Sequence, residues 1–318
     1  MSRLHLAVGL DTGSGVAPLL AAAAHLDGLV EILTLEDRFA DPANDGPEAT
    51  LVATFLAART RHLGLLAGAP LPVLEPFHVS TAIATLDHVS EGRGGFLVQA
   101  PRGGRAVAAR AAIGALNGFP EPQDDAFAQD AVDALEAVRL LWDSWDDDAV
   151  IRDASSQRFL DADRLHYIRF KTPAFDILGP SITPRPPQGQ PVVAVRHAEG
   201  DDPRLALGAD LVFLAGSIEE IAIAAARLRG SGRLLFADVP VSADRGVERD
   251  VAQARETAAR IGLSGLRFMP DAPDRDVAPL AEHLATVTRA GAPAEGLLRQ
   301  RLGLGPALSR FGAARKAA

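Results

Sequence analysis

The chain of 318 residues contains no cysteine, which excludes disulfide bonds, thiolate metal sites and cysteine nucleophiles. It also lacks any apolar run of membrane-spanning length, and its first residues lack the apolar core of a signal peptide. Acidic residues outnumber basic ones by 41 to 32, which gives a net charge of −9. Because nucleic acid and anionic membranes would repel such a chain, we expect neither as a partner and predict a cytoplasmic protein.

Several short catalytic motifs are absent as well. The 8 histidines are not joined to carboxylates by an HExxH or comparable spacing, so we predict no metal site. A GxSxG nucleophile turn and a phosphate-binding P-loop are also missing. None of these three kinds of site is therefore expected.

What the chain does contain is a regular alternation of predicted strands and helices. Hydrophobic residues make up 47% and charged residues 23% of it, a balance typical of a globular protein with a sizeable core. Strand-length apolar runs alternate with segments of helical period about eight times in series, which predicts a (β/α)8 barrel, with an open doubly wound sheet as the alternative. The predicted strands are Leu4–Gly9, Leu29–Leu35, His62–Ala67, Gly95–Ala100, Pro191–Val195, Asp210–Leu214, Arg233–Asp238 and Leu266–Met269.

One long segment interrupts this alternation. Residues 149–189 carry proline, glycine and charge with only short β-like pieces, and such a length exceeds an ordinary connection between a helix and a strand. We therefore predict a single barrel domain over residues 1–318, with an insertion at about 149–189 before the fifth strand. The helix before the insertion is predicted over Ala126–Trp145, with Leu135, Val138 and Trp142 on its buried face.

Parallel barrels carry their sites at the carboxyl ends of the strands, and three residues there are candidates for chemistry. Glu36 ends the second strand, and His197 follows the fifth strand. His78 lies in the first turn of the third helix, where the helix N-terminus disfavours a charged imidazolium. Each residue also has a structural interpretation: Glu36 as a loop carboxylate beside Arg38, and the two histidines as hydrogen-bonded structural groups.

Five strings, in order along the chain, resemble one known family. TLED at Thr34–Asp37 resembles the end of its second strand, and LEPFHVSTAIATLDHVSEGRGG at Leu74–Gly95 resembles its third helix. The others are RLLWDSWDDDAVIRD, GPSITPRPPQGQPVVA and LRQRLGLGPALSRF, at residues 139–153, 179–194 and 298–311. Together they resemble the bacterial luciferase-like, flavin-dependent monooxygenases, and most closely the branch of the nitrilotriacetate and dibenzothiophene-sulfone monooxygenases.

The resemblance implies a (β/α)8 barrel that uses reduced FMN from a partner flavin reductase to transfer one oxygen atom to a small organic substrate. It also implies a homodimer formed through helices beside the third-helix string. Glu36, His78 and His197 are then the candidate catalytic residues. The candidate flavin-binding residues are Glu36, Ala69, Gln99, Ala100, Arg102, His197 and Ala198.

Two departures from the family's pattern keep other functions open. The fourth strand of the family usually ends in hydroxyl-bearing residues that face the flavin, whereas here it ends in Gln99, Ala100 and Pro101. After the fifth strand, Asp202 is predicted to cap a helix that begins with Pro203, and the carboxylates of this turn would oppose a bound phosphate. The alternatives are a barrel that has lost flavin binding and serves as a non-catalytic partner subunit, and a deazaflavin-dependent oxidoreductase.

Overall fold

The computed structural model describes residues 4–39, 46–71, 73–101, 106–109, 124–287 and 295–311. Eight parallel strands close into a barrel, because the first strand pairs with the last as well as with the second. The strands are β1 His5–Asp11, β2 Ile32–Glu36, β3 Gly64–Pro70, β4 Gly94–Gln99, β5 Val192–Ala198, β6 Leu211–Ala215, β7 Leu234–Val241 and β8 Gly265–Pro270. The predicted (β/α)8 barrel is confirmed, and the alternative of an open sheet is wrong.

Helices connect the strands, and their ends carry local sequence signals. Ser217 and Glu220 form a reciprocal capping box at the start of the helix Ile218–Leu228, and Gly262 ends the helix Val247–Ile261 in the left-handed conformation. Pro76 and Pro203 each begin a helix, where a missing backbone N–H costs no hydrogen bond. The helices are α1 Val16–Leu26, α2 Ala49–Ala57, α3 Pro76–Val89, α4 Asp124–Trp142, α5 Pro203–Gly208, α6 Ile218–Leu228, α7 Val247–Ile261, α8 Pro273–Val287 and α9 Leu298–Arg301.

The hydrophobic core has two layers, one between barrel and helices and one inside the barrel. The inner layer contains Phe213 and Phe236, whose rings meet edge to face at 5.5 Å between centroids. Leu298 and Leu302, in and just after α9, belong to the same inner layer, and the Leu298 side chain lies against Gly64 at the start of β3. Because α9 covers the amino-terminal end of the barrel, a ligand site is expected at the opposite end.

Two short antiparallel hairpins lie between α4 and β5, in the segment predicted as an insertion. They pair Val150–Asp153 with Arg158–Leu160, and Phe170–Lys171 with Asp176–Ile177. Trp145 Nε1 donates to the Ser181 carbonyl over 2.8 Å, and Arg185 Nη2 donates to Asp143 over 3.0 Å. These bonds hold the far end of the segment against the end of α4, so that the chain returns to the barrel for β5.

A buried carboxylate joins α3 to the segment that precedes β5. Asp87 accepts hydrogen bonds from the backbone and side-chain nitrogens of Gln188, over 3.0 and 2.6 Å, and from Gly94 N over 3.2 Å. Gln188 in turn accepts from Arg299 N in α9 over 2.9 Å. Burial raises the pKa of Asp87 to about 6, although these hydrogen bonds oppose the rise.

The raised pKa of Asp87 makes a testable contribution to stability. Because the folded state holds this proton more tightly than the unfolded state, the contribution is largest at low pH and is lost as pH rises through about 6. Because of Asp87, the free energy of unfolding of the wild type should therefore fall by about 1 kcal/mol between pH 5 and 7.5, and Asp87→Asn should lack this part of the fall. Urea unfolding at the two pH values measures the difference. The exposed Asp176→Asn variant should keep the wild-type dependence of the free energy of unfolding on pH. If the free energy of unfolding of Asp87→Asn changed with pH as steeply as that of the wild type, the prediction would be contradicted.

The buried face predicted for α4 can be tested in the same way. Leu135, Val138 and Trp142 are all buried, Leu135 packs on Gly208 of α5, and Trp142 Nε1 donates to Ser80 O in α3 over 3.0 Å. Leu135→Ala should lower the free energy of unfolding by roughly 2–5 kcal/mol, since it leaves a cavity. Leu308→Ala, at a side chain that is 83% exposed, should change it by less than about 0.5 kcal/mol.

Candidate active site

A cavity of about 390 Å³ opens at the carboxyl ends of β1 to β5 and reaches the start of α5. Its volume lies within the range of roughly 300–1,000 Å³ that is usual for small-molecule sites. Leu97 and Val195 contribute apolar wall, while Glu36, Arg196 and His197 contribute polar groups. This is the end of the barrel at which sites of this fold are expected.

The structure brings most of the predicted site residues to this cavity. Glu36, Gln99, Ala100, His197 and Ala198 all line it, and His197 is only 8% exposed. The corresponding roles in catalysis and flavin binding stay predictions, because the geometry alone assigns no chemistry to them.

Two further predicted residues lie at a neighbouring cavity of about 830 Å³. Ala69 and His78 line this second cavity, between the end of β2, α2 and α3. Residues 37–39 border both cavities. The candidate catalytic residues are thus divided, with Glu36 and His197 at the first cavity and His78 at the second. The predicted flavin-binding residue Arg102 lies outside the described residues.

Gln99, at the end of β4, holds the end of β2 in place. Its Oε1 accepts from Asp37 N over 2.9 Å, and its Nε2 donates to Asp37 O over 3.0 Å. A Cβ added at Gly68, on the strand between them, would lie 2.3 Å from Gln99 Oε1. Glycine at position 68 is therefore what allows the Gln99 amide to cross β3 and bind the Asp37 backbone.

Asp37 itself organises the segment that follows β2. Its carboxylate accepts from Phe39 N over 2.7 Å and from Ala49 N, at the start of α2, over 2.9 Å. Burial raises the pKa of Asp37, although these two backbone hydrogen bonds oppose the rise. The carboxylate thus connects β2 to α2, and its oxygens are used in the scaffold.

A fully buried arginine lies inside the barrel just below the cavity. Arg267 of β8 donates from Nε and Nη2 to the two carboxylate oxygens of Asp238 in β7, over 2.6 and 2.7 Å. Its Nη1 lies 3.2 Å from Thr34 Oγ1 and 3.6 Å from Glu36 Oε1, both in β2. The guanidinium also lies 4.1 Å from the centroid of the Phe213 ring in β6. Because these contacts reach β7 and β6 on one side of β8 and β2 on the other, the Arg267 side chain lies inside the barrel.

The pKa of Arg267 reflects two opposed effects. Burial alone lowers the pKa of its guanidinium, but the charge and hydrogen bonds of Asp238, with the charge of Glu36 further away, raise the pKa overall. Arg196 of β5 joins the same group, since its Nε donates to Asp238 Oδ2 over 2.9 Å. Asp238 is therefore shared between a buried arginine and an exposed one.

The turn after β5 is occupied by its own carboxylates. Asp202 caps α5 by accepting from Arg204 N over 2.9 Å, which confirms the predicted cap. Asp201 accepts from Ala198 N over 2.9 Å, and Glu199 pairs with Arg227 at 2.5 Å. The amino-terminal end of α5 is thus an unfavourable place for a phosphate, because its backbone donors are near acidic groups.

Sequence reasoning missed the Arg267 and Asp238 pair, although a signal was present. Arg267 is a single charge within an apolar strand, and its neighbours Leu266 and Phe268 are buried. Since side chains alternate along a strand, a charge between two outward-facing apolar residues must face the barrel interior. Such a charge requires a partner on a neighbouring strand, which is the role of Asp238.

Among the described residues, no group of three histidine, aspartate or glutamate side chains could hold a metal ion. The same residues include no helix that is both long enough and apolar enough to cross a membrane.

The fold and the position of the cavity agree with the family comparison. The luciferase-like monooxygenase model matches residues 16–301, and the chain therefore belongs to this flavin-dependent family. A solved riboflavin lyase, with modified FMN and riboflavin bound, superposes with a TM-score of 0.77 over 96% of this chain and 97% of that one. At 19% identity, that likeness supports the fold.

Curated relatives locate the chain within the family. A pristinamycin IIA synthase component of Streptomyces pristinaespiralis is 34% identical over 215 residues, which are 66% of this chain and 67% of that protein. Dibenzothiophene-sulfone monooxygenase of Rhodococcus erythropolis is 35% identical over 172 residues, 51% of this chain and 36% of that protein. Nitrilotriacetate monooxygenase component A of Aminobacter aminovorans is 34% identical over 167 residues, 52% of this chain and 35% of that protein. The predicted resemblance to this branch is confirmed, and the chain spans only about a third of the length of the last two.

The buried ion pair predicts a specific pattern of stability. Arg267→Met should lower the free energy of unfolding by about 3–5 kcal/mol, because it leaves Asp238 without its bidentate partner. The double variant Arg267→Met, Asp238→Leu should recover most of that loss, since an apolar pair of similar volume is often as stable as a buried ion pair. Urea unfolding measures both, and a single variant with the wild-type midpoint would contradict the pairing.

Proposed function

We propose that the protein is a monooxygenase that binds reduced FMN, supplied by a separate flavin reductase, and oxygenates a small organic substrate. The observation that carries this proposal is the cavity of about 390 Å³ at the carboxyl ends of β1 to β5, in a chain of the luciferase-like monooxygenase family. Bound reduced FMN would supply the two electrons with which one atom of O₂ enters the substrate and the other is reduced to water. The contribution of the protein is then to bind, orient and exclude water.

The cavity suits the flat ring system of FMN. Ala100 and Ala198 line it with side chains that end at Cβ, and Leu97 adds an apolar surface, so that a planar ring can approach the strand ends closely. Glu36 and Arg196 offer an acceptor and donors at the edge of the same space. The buried His197 provides a further hydrogen-bonding group beside them.

Gln99 and Asp37 would act through the scaffold. By fixing the backbone of residue 37, Gln99 sets the position of the segment that borders both cavities. A fixed position of this segment would help to limit the access of water to the reacting centre. These two residues would therefore support the site without touching the reacting atoms.

A homodimer is part of the proposal. On α2, which packs beside α3, Leu51 is 66% exposed and Phe55 is 37% exposed. The two side chains are one helical turn apart and lie on the same face of α2. Such an exposed apolar face supports contact with the equivalent helices of a second copy.

Two specific observations favour a second candidate, a barrel that has lost flavin binding and acts as a non-catalytic partner subunit. The start of α5 is occupied by Asp202 and surrounded by Asp201 and Glu199, which disfavours a phosphate there. The end of β4 also presents Gln99, whose amide is bound to the backbone of Asp37, in place of a hydroxyl group.

Anaerobic titration with reduced FMN tests the proposal. We expect saturable binding by the wild-type protein, and oxygen consumption on admission of air. Ala198→Trp should abolish binding because the indole fills the cavity, whereas Ala252→Trp, exposed on α7, should bind as wild type does.

Each contrary outcome favours a different alternative. A folded wild-type protein that binds no reduced FMN would support the partner subunit. Tighter binding of a reduced deazaflavin than of reduced FMN would support a deazaflavin-dependent oxidoreductase.

A further inference from the structure

Arg196 is the arginine that extends into the open space above the buried ion pair. It lies on β5 between Ala194, which belongs to the inner core layer, and Ala198, so that strand alternation directs it to the barrel interior. Its side chain lines the cavity and is 60% exposed. Within the described part of the chain, its one hydrogen bond runs from Nε to Asp238 Oδ2.

That single bond fixes the direction of the guanidinium. Arginine carries five N–H donors in a planar fork, and the bond to Asp238 uses one of them. The other donors are on the two terminal nitrogens, and the side chain that carries them is open to the cavity. A planar fork held at one corner is suited to bidentate binding of a carboxylate or phosphate.

The charge of Arg196 is not simply cancelled by Asp238. Both oxygens of Asp238 already accept from the fully buried Arg267, over 2.6 and 2.7 Å. The three side chains together therefore carry one net positive charge. Glu36, which also lines the cavity, offsets this charge beside Arg267, 3.6 Å away, whereas Arg196 is the member of the group whose donors extend into the cavity.

Among the residues that the structure describes, two other arginines near the rim are less suited to this role. Arg38 is bound to Asp11 at 3.2 Å, and the Arg38 side chain is only 19% exposed. Arg204 is bound to Asp202, the residue that caps α5. Of the two described arginines that line the cavity, Arg38 and Arg196, it is Arg196 that combines a fixed orientation with the larger exposed fraction.

Stability does not explain why the barrel carries the charged group of Arg267, Asp238 and Arg196. A buried ion pair is often no more stable than an apolar pair of the same volume, because both charges must leave water. The Arg267 and Asp238 pair does, however, hold a third charged group at a set position beside a ligand cavity.

We propose that Arg196 binds an oxyanionic group of the ligand in the cavity, and that Asp238 and Arg267 are positioning residues for it. The chemical class of this group is a carboxylate, sulfonate or phosphate. If the protein acts as proposed above, the group belongs either to an anionic organic substrate or to the phosphate of the flavin. The inference rests on the proposed function only for that choice, since the site itself is tested without turnover.

Two pairs of probes distinguish an anionic substrate from the flavin phosphate as the source of the oxyanionic group. Benzoate and benzamide differ in charge and little in shape, and FMN and riboflavin differ in the phosphate. Affinities of all four are measured by calorimetry for the wild type, Arg196→Gln, Arg196→Lys and Arg158→Gln. Arg158 is a matched control, because it is 55% exposed and also bound to one carboxylate, but lies in a hairpin of the insertion.

We expect wild type to prefer the charged member of at least one pair, and Arg196→Gln to reduce that preference about tenfold or more. Arg196→Lys should restore part of it, and Arg158→Gln should leave it unchanged. A loss confined to benzoate assigns the group to a substrate, and a loss confined to FMN assigns it to the flavin phosphate. No preference in wild type, or an unchanged preference in Arg196→Gln, would overturn the proposal.

The positioning role of Asp238 has its own readout. Asp238→Asn removes a negative charge, so electrostatics alone predicts tighter binding of the anionic probe. If Asp238 orients Arg196, the variant should instead bind that probe several-fold more weakly, while its affinity for the neutral probe stays constant. Tighter anion binding in a folded Asp238→Asn protein would overturn this role.

Discussion

The ion pair between Arg267 and Asp238 is the constraint around which the upper part of the barrel is arranged. A guanidinium with no exposed surface must have its charge balanced and its donors satisfied, or the fold loses several kcal/mol. Asp238 of β7, Thr34 and Glu36 of β2 and the Phe213 ring of β6 meet these demands. One side chain of β8 therefore fixes the relative positions of side chains on three other strands.

The barrel thereby changes character along its axis. Below Arg267, the inner layer is apolar and is closed by Leu298 and Leu302. At and above Arg267, the inward positions of β2, β5 and β7 carry Glu36, Arg196 and Asp238. This division lets the same strands form a packed core at one end and a polar, open cavity at the other.

The fold was predictable because the lower part of each strand shows the apolar pattern of a buried strand. The carboxyl ends of several strands were predicted too short because this pattern stops before the backbone pairing does. β5 was predicted to end at Val195 but continues through Arg196 and His197 to Ala198, and β7 continues past Asp238 to Val241. Polar residues that face a cavity interrupt the apolar pattern without interrupting the backbone pairing.

The membership of the cavity could be predicted from strand ends, whereas the contacts within it could not. Glu36 and His197 were identified because the ends of parallel strands meet at one edge. The bond from Arg267 to Thr34 joins residues 233 apart in sequence, and it depends on the register by which β8 pairs with β1 and β7. Register across several strands is a property of the closed barrel, so local sequence patterns carry no direct signal of it.

The end of β4, which carries Gln99 in place of a hydroxyl-bearing residue, shows that uncharged and charged contacts lie on different sides of the cavity. A hydroxyl at this position could face a ligand, but the Gln99 amide uses both its donor and its acceptor on the backbone of residue 37, and Gly68 leaves room for it to do so. The ends of β2 and β4 are thus joined by neutral hydrogen bonds, while β5, β7 and β8 hold the group of Arg196, Asp238 and Arg267. Because a fixed cation attracts a charged ligand and neutral bonds within the scaffold do not, the anionic part of a ligand should face β5 and its uncharged part should face β4.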